Sequence, residues 1–288
     1  MNKILIKTTV EDDENDWCVN RFELLQNTLK SAGYNVESRD RLNDRFGNDI
    51  DFQALTSSDY DQLWVFAVEG KDGGLTMNDA ENIDAFRRQG KGCMLTRDHM
   101  NVGNTLVNIP EIGLAHHFHS VNPEPDKERQ KRDDTVNMKL DWPNYHSGLN
   151  GSVQEIEIMD HGHPLIQSKN DFIRYFPTHP HEGAISIPKG TEQFASVIAK
   201  GKSKLTGNSF DLIIAFEANT IDDNQQYGRA VIHSSFHHFA DYNWDVSKGC
   251  PDFVFEPVGN EMSSSPQAQR DIRMYSVNLA NWLSNQKS

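Results

Sequence analysis

Two kinds of hydrophobic spacing alternate through the first hundred residues. Continuous apolar and β-branched runs predict buried strands at Lys3–Thr8, Gln62–Val68 and Lys91–Thr96, and a more polar run at Asn35–Arg39 predicts an edge strand. Between the first two strands, apolar residues recur at helical spacing and stop at Gly33, which predicts a helix that ends there. The side chains that share one face of this helix are Cys18, Phe22, Leu25, Leu29 and Ala32.

A second helix is delimited by its capping residues. Thr76 is a favourable N-cap, and Asp79 three residues later predicts a capping box. Arg87 and Arg88 suit the last turn, where cations complement the helix dipole, and Gly90 follows. The alternation of strands and helices predicts a mostly parallel sheet with right-handed crossovers, whose sites form beyond the carboxyl ends of the strands.

Regular spacing is lost near residue 100 and returns in the second half of the chain. Residues 100–150 are rich in Asn, Pro, His and charged residues, which predicts a long loop-rich excursion over the sheet edge. We predict a single α/β domain over residues 1–288, a flavodoxin-like three-layer sandwich. The later predicted strands are Ile156–Met159, Ala195–Ala199, Leu212–Phe216 and Arg229–Ser234, the last two paired as a hairpin, and Ile272, Tyr275, Leu279 and Trp282 predict a final helix.

The charge and the cysteine content limit which classes of partner and which cellular location are expected. The formal net charge is -14 and no basic stripe occurs, so neither nucleic acid nor an anionic membrane surface is expected as a partner. No apolar stretch reaches membrane-spanning length. The three cysteines are widely spaced and form no CxxC motif: Cys18, Cys93 and Cys250. This spacing favours a location of the protein in the reducing cytoplasm. A small-molecule substrate is therefore the expected partner, and a homo-oligomer is left open.

The histidines point to the candidate chemistry. All 12 lie between His99 and His238, and all but His99 and His146 fall in tight groups. Neutral imidazole is the commonest metal ligand and the usual acid–base group near neutral pH. We expect several loops to bring these groups to one polar site. The groups are His116 with His117 and His119, His161 with His163, His179 with His181, and His233 with His237 and His238.

These residues suggest a metal site without matching a standard zinc signature. In an extended segment His179 and His181 face the same side, whereas only one of the adjacent His237 and His238 is expected to enter the site. Three such ligands with an open position would hold a divalent metal, with zinc, iron and manganese as candidates. Without a metal, the same imidazoles would serve as acid–base groups. The candidate metal ligands are His99, His179, His181, Glu182 and His238.

Aromatic side chains accompany the histidines. Rings interleaved with Asp, Asn and His suit a carbohydrate, whose C–H faces stack on rings while its hydroxyls bind polar groups. The alternative, that these rings only anchor long loops to the core, is equally open. The candidate substrate-binding residues are Trp17, Trp142, Tyr145, His146, Asp241 and Trp244.

Three segments carry a resemblance to a known family. The strand that begins at Gly92 ends in Arg97-Asp98-His99, His163 begins a His-Pro-hydrophobic segment, and a late Gly228-Arg229 strand leads to Phe236-His237-His238. In order and character they resemble the ThuA-like (trehalose-utilisation) branch of the class I glutamine amidotransferase-like superfamily. The resemblance implies an amidotransferase-like three-layer sandwich and a small polar substrate, a sugar or sugar derivative.

The chain departs from the amidotransferases at their nucleophile. Those enzymes use a thiolate at the strand-end elbow, but here the elbow holds Asp98-His99 and Cys93 lies upstream inside the strand. We therefore expect no glutaminase activity. We expect His99 to be the central acid–base group or metal ligand and Asp98 and His237 to be catalytic residues beside it. Arg97 is expected to bind a carboxylate or an oxyanion. A hydrolase or isomerase of carbohydrate metabolism is favoured; the alternative is a non-catalytic ligand-binding module on the same scaffold.

Overall fold

The computed structural model describes residues 2–70, 73–118, 122–127, 145–168, 171–222 and 225–284. In chain order its strands are β1 (Lys3–Thr8), β2 (Asn35–Arg39), β3 (Gln62–Phe66), β4 (Gly92–Thr96), β5 (His116–His117), β6 (Val153–Glu155), β7 (Glu157–Ile158), β8 (Tyr175–Pro177), β9 (Ala184–Ile185), β10 (Ala195–Lys202), β11 (Ser209–Phe216), β12 (Asn219–Asp222), β13 (Gln225–Tyr227) and β14 (Ala230–His233). The α-helices are α1 (Glu23–Ser31), α2 (Ile50–Ala54), α3 (Met77–Arg87), α4 (Asp241–Trp244), α5 (Glu261–Ser264) and α6 (Pro266–Ser284). Short 3-10 helices include Val19–Phe22, Asn104–Asn108, Ile112–Ala115 and Phe236–His238.

The central sheet has eight strands in the order β2-β1-β3-β4-β14-β11-β10-β7. The five strands from β2 to β14 are mutually parallel, and β14, β11, β10 and β7 continue the sheet in antiparallel fashion. Because β4 and β14 are adjacent and parallel, the segments that follow them emerge side by side at one edge. The prediction of a mostly parallel α/β sheet is confirmed.

Helices cover both faces of this sheet. Successive residues of β1 face opposite sides: Ile4 and Ile6 belong to one buried cluster, and Leu5 belongs to the other. The first cluster contains side chains of α1 and α6, and the second contains side chains of α3 and of the segment around α2. This is the three-layer arrangement that the alternating pattern predicts.

Most predicted elements lie where expected, with shifted ends. Thr76 and Asp79 form the capping box of α3, and the final helix places its four predicted core residues in the interior. The helix before Gly33 is shorter than predicted, because Val19–Phe22 forms a 3-10 turn and Ala32 is exposed. Part of the predicted excursion at 100–150 lies outside the described residues. Within the described part of the chain, no helix is long and apolar enough to cross a membrane.

A long-range cap fixes the start of α1. The Asp241 carboxylate accepts hydrogen bonds from the backbone N–H groups of Glu23 (3.1 Å) and Leu24 (2.8 Å). These are among the N–H groups that a helix leaves without partners in its first turn. The sequence suggested Asp241 as a substrate-binding residue, whereas in the structure both of its oxygens serve this cap.

A second buried carboxylate organises the interior behind the strand ends. Glu182 accepts hydrogen bonds from Ser147 (2.8 Å) and Gln154 (3.0 Å) on one oxygen and from Ser234 (2.8 Å) on the other. The Nε2 atom of His238 lies 3.0 Å from the same carboxylate, and both residues are fully buried. Glu182 and His238 therefore join neighbouring segments of the interior.

Replacing Asp241 with alanine should destabilise the fold through the loss of this cap. We expect the free energy of unfolding to fall by about 1–2 kcal/mol, as for other N-cap deletions. Urea denaturation followed by circular dichroism would measure the change. Asp252→Ala, at an exposed carboxylate, is the matched control and should change stability by less than about 0.5 kcal/mol. Equal stability of the two variants would contradict the assignment.

Replacing Glu182 with alanine should cost considerably more. The substitution leaves the His238 ring and several buried donors without their acceptor, and breaking such a buried pair costs about 3–5 kcal/mol. Glu182→Gln keeps one acceptor oxygen, so a smaller loss is expected. Glu81→Ala, on the exposed side of α3, serves as the control for removing a carboxylate. A loss below about 1 kcal/mol for Glu182→Ala in urea denaturation would show that the cluster is not structural.

Candidate functional site

A cavity of about 630 Å³ opens at the carboxyl ends of the parallel strands. One wall is polar and includes residues that follow β4, β8 and β14. The rest of the lining is mostly apolar, and residues 253–257 contribute to it. The polar wall contains Asp98, His99, His179, His181, His237 and Glu256.

Asp98 lies at the centre of the polar wall. It follows β4 and is 1% exposed, so hydrogen bonds must replace the water that would otherwise solvate its charge. Its Oδ2 accepts a hydrogen bond from Nδ1 of His99 at 2.8 Å, and its Oδ1 accepts one from the Ser235 hydroxyl at 2.9 Å. Since Ser235 follows β14, this carboxylate connects the ends of two adjacent parallel strands.

Two further imidazoles face the same carboxylate. The Nε2 atom of His179 lies 3.4 Å from Asp98 Oδ2, and that of His237 lies 3.6 Å from it. The two rings are stacked, with centroids 3.6 Å apart and an interplanar angle of 9°. The pair therefore presents two Nε2 atoms to one oxygen.

Two asparagines hold these rings by their other nitrogen. Asn243 Nδ2 donates to the Thr178 carbonyl (2.8 Å) and to Asn150 Oδ1 (2.9 Å). A carbonyl oxygen only accepts, so these bonds fix which end of each amide carries oxygen. The oxygen of Asn150 then accepts from His179 Nδ1 at 3.0 Å, and that of Asn243 accepts from His237 Nδ1 at 3.1 Å. Both rings therefore carry their Nδ1 proton.

Burial and proximity decide the charges of this cluster. Burial lowers the pKa of His179 to about 4, and it lowers the pKa of His237 well below its ordinary value. For Asp98, burial raises the pKa, but the neighbouring imidazoles of His179, His99 and His237 outweigh burial and hold that pKa well below its usual range. At neutral pH the centre is therefore an ionised carboxylate beside two neutral stacked rings.

His181 and Glu256 complete the polar wall. The ring centroid of His181 lies 4.9 Å from that of His99 and 5.5 Å from that of His179. Its Nε2 is 3.5 Å from Glu256 Oε1, and neither ring nitrogen has a hydrogen-bond partner among the described residues. Glu256 is part of the 253–257 segment at the rim, so this segment brings a carboxylate to the histidine cluster.

Aromatic and aliphatic side chains form the apolar part of the lining. Trp17 is buried, and its ring meets that of His237 edge-on, with centroids 4.8 Å apart. Phe236 stacks on His237 with centroids 4.3 Å apart. Phe253 and Phe255 lie at the rim with 54% and 66% of their surface exposed, so they present rings at the mouth of the cavity.

The structure brings six of the predicted site residues together at this cavity. His99 and Asp98 occupy the strand end where the sequence placed them, and only one of the two adjacent late histidines, His237, enters the wall. The predicted residues that line the cavity are Trp17, Asp98, His99, His179, His181 and His237.

Arg97 is placed differently from its predicted role as an anion-binding group. It is fully buried, stacks on the Phe118 ring and donates to the backbone carbonyls of His117, Ala184 and Met100. Its guanidinium therefore holds loops behind the site, and Arg97 does not line the cavity.

Other predicted residues also lie away from the cavity lining. Glu182 and His238 pair with each other in the interior, as described above. Tyr145 stacks on Phe210, and the indole of Trp244 donates to the His238 carbonyl. His146 Nδ1 faces the Pro180 carbonyl at 3.2 Å. Asp241 caps α1, and Trp142 lies outside the described residues.

Asn150, Asn243, Ser235 and Glu256 are among the residues of the site that were not predicted. Asn150 and Asn243 act only through the ring nitrogens that they bind, and neither falls in a recognisable motif. Glu256 reaches the cavity from a segment without periodic spacing. Ser235 alone had a sequence signal, because it directly follows a predicted strand of the parallel sheet.

Sequence comparisons add no relative. No protein-family model matches the chain, and the search of curated proteins finds no match. Comparison with solved structures does find similar folds, so the remaining information comes from the backbone.

A protein from Parabacteroides merdae described as ThuA-like superposes with a TM-score of 0.52 at 10% identity, over 99% of this chain and 91% of that one. A second protein described as ThuA-like, from Bacteroides uniformis, gives a TM-score of 0.49 at 12% identity, over 98% of this chain and 91% of that one. The glutaminase domain of CTP synthase from Trypanosoma brucei gives 0.49 at 10% identity, over 100% and 96%. At such identities the similarity concerns the fold, and the first of these structures confirms that this chain shares the fold of a ThuA-like protein.

Proposed function

We propose that the protein is an enzyme that acts on a small uncharged polar metabolite, a sugar or sugar derivative, by hydrolysis or isomerisation. The observation that carries this proposal is the Asp98–His99 pair in the wall of the 630 Å³ cavity. A cavity of this size suits a small-molecule ligand.

The geometry of the pair suits proton transfer. Because His99 donates its Nδ1–H to Asp98, its Nε2 is left to exchange a proton with a ligand. The carboxylate orients the ring and stabilises the imidazolium that forms, as an acidic partner does in other histidine-dependent enzymes. Hydrolysis and isomerisation both need a group that takes a proton from a hydroxyl, a water or a C–H bond and returns it.

The charge of the lining favours an uncharged substrate. Among the described residues that line the cavity there is no lysine or arginine, whereas Asp16, Asp98 and Glu256 are acidic. A phosphate or carboxylate entering this cavity would meet like charge without a cationic side chain to bind it. We therefore propose a substrate without an anionic group.

The apolar wall supports a sugar-like substrate. Trp17 and the rim phenylalanines are aromatic, and the imidazoles and carboxylates of the same cavity offer hydrogen-bond partners. A pyranose has apolar C–H faces and polar edges, which match such a mixed lining. The resemblance of the strand-end motifs to the trehalose-utilisation branch, and the fold shared with a ThuA-like structure, support the same class.

Replacing His99 with alanine tests the proposal. Wild-type protein would be incubated with neutral disaccharides, aryl glycosides and their phosphorylated counterparts, and products would be followed by NMR. We expect turnover of a neutral compound, little turnover of its phosphate, and a loss of about 10²–10⁴-fold in kcat for His99→Ala. His161→Ala, an exposed histidine away from the cavity, is the matched control and should retain full activity.

Two results would contradict the proposal. Unchanged turnover in a folded His99→Ala protein would remove this residue from the chemistry. Thermal stabilisation of the wild-type protein by a sugar without any product would identify a binding module instead of an enzyme.

A further inference from the structure

We infer that the polar wall is a binding site for one divalent transition-metal ion, held by Asp98, His99 and His179. The inference rests on the proposed function in one respect, since the ion would occupy the same centre. It adds a cofactor and a defined set of ligands. Three observations carry it: the direction of the lone pairs, the spacing of the ligand atoms, and buried nitrogens without partners.

The asparagine network decides where the lone pair of His179 points. Its Nδ1–H is donated to Asn150 Oδ1, so a neutral ring carries its lone pair on Nε2, towards Asp98 Oδ2. A lone pair that faces a carboxylate oxygen is repulsive unless a cation lies between them. Metal-binding histidines are commonly held in this way, with the far N–H donated to an oxygen acceptor.

The spacing favours a metal ion over a proton. A charge-assisted N–H···O bond would bring the two atoms to about 2.7–2.9 Å, but His179 Nε2 lies 3.4 Å from Asp98 Oδ2. Two ligand bonds of about 2.0–2.2 Å at a tetrahedral angle place their ligand atoms roughly 3.4 Å apart. The observed distance is therefore that of two ligands on one ion.

His99 would supply the third ligand through Nδ1, which would release its proton and exchange its hydrogen bond to Asp98 for the ion. Asp98, His99 and His179 each bring one ligand atom within 4.8 Å of the other two. With the ion bound, Nε2 of His99 would carry the ring proton, and the water on the ion would replace Nε2 as the proton-accepting group. Two nitrogens and one carboxylate oxygen, with a position open to the cavity, are the ligand set of catalytic zinc and non-haem iron sites.

The other two imidazoles flank the ion. His237 stacks parallel to His179 at 3.6 Å, and two parallel stacked rings cannot both hold one ion in their ring planes. His181 lies beside His99 and His179, and among the described residues its Nδ1 and Nε2 and the Nε2 of His179 have no hydrogen-bond partner, although each Nε2 faces a carboxylate at 3.4–3.5 Å. Such unpartnered nitrogens are costly unless a ligand satisfies them, so His181 and His237 are placed to bind a water or a substrate hydroxyl on the ion.

Imidazole ligands select the type of metal. Zinc, iron(II) and manganese(II) accept mixed nitrogen and oxygen donors, whereas calcium and magnesium prefer oxygen ligands. A bound ion of this kind lowers the pKa of its water or polarises a carbonyl. The same ion would therefore serve both hydrolysis and isomerisation.

Isothermal titration calorimetry with Zn²⁺ and Mn²⁺ tests the site on chelator-stripped, untagged protein. We expect one ion per chain for the wild type. His179→Ala should weaken binding at least about 100-fold, and Asn150→Ala, which removes only the acceptor of the His179 Nδ1–H, should weaken it about 10–100-fold. His161→Ala is the matched control and should bind as the wild type does.

Co²⁺ absorption provides a second measurement that does not depend on activity. Its visible spectrum should show ligand-field bands with the wild type that are lost with His179→Ala, while circular dichroism verifies that each variant is folded. Absence of stoichiometric binding to the wild type would overturn the site. So would unchanged affinity in folded His179→Ala and Asp98→Ala proteins, because the ion would then lie elsewhere.

The outcomes separate this inference from the proposed function. Sugar turnover by protein that binds no metal would overturn the metal site and leave the enzyme. Stoichiometric binding that depends on His179 and Asn150, without turnover of any neutral sugar, would leave the metal site and remove the proposed substrate class.

Discussion

The arrangement of the strand ends depends on keeping one carboxylate charged without water. An ionised carboxylate in the interior is stable only if hydrogen bonds and nearby charges replace its solvation. Asp98 obtains such hydrogen bonds from His99 and from Ser235, which follows the neighbouring strand. Two segments that are distant in sequence, the ends of β4 and β14, are thereby held at one point of the cavity wall.

A second layer of amides extends that constraint into the fold. Asn243 and Asn150 bind each other, the Thr178 carbonyl and the far nitrogens of both stacked rings. Because each amide has one donor end and one acceptor end, the tautomer of each ring is set by backbone geometry outside the cavity. The chemistry of the wall therefore follows from residues that do not themselves line it.

The sequence predicted the scaffold better than the contents of the site. Strands and helices follow from local periodicity and capping, so β1, β2 and the capping box of α3 lie at their predicted positions. His179 and His181 both line the cavity, although residues 180–181 form a turn and not the extended segment on which the prediction relied. Glu182 lies in the interior and does not line the cavity as a metal ligand. Glu256 brings a carboxylate to the histidine cluster from the rim. No local sequence pattern predicts such a contact, because the segment that makes it is irregular.

The positions of the reactive side chains on β4 and in the segment after it limit the chemistry available at the cavity. Cys93 lies inside the strand, fully buried, and burial raises the pKa of its thiol to about 12, so no thiolate reaches the cavity. The groups that do reach it, Asp98 and His99, are a charged carboxylate and an imidazole held by it. Such a pair moves protons or holds a cation. In the proposed reaction, the nucleophile would therefore be water or a group of the substrate.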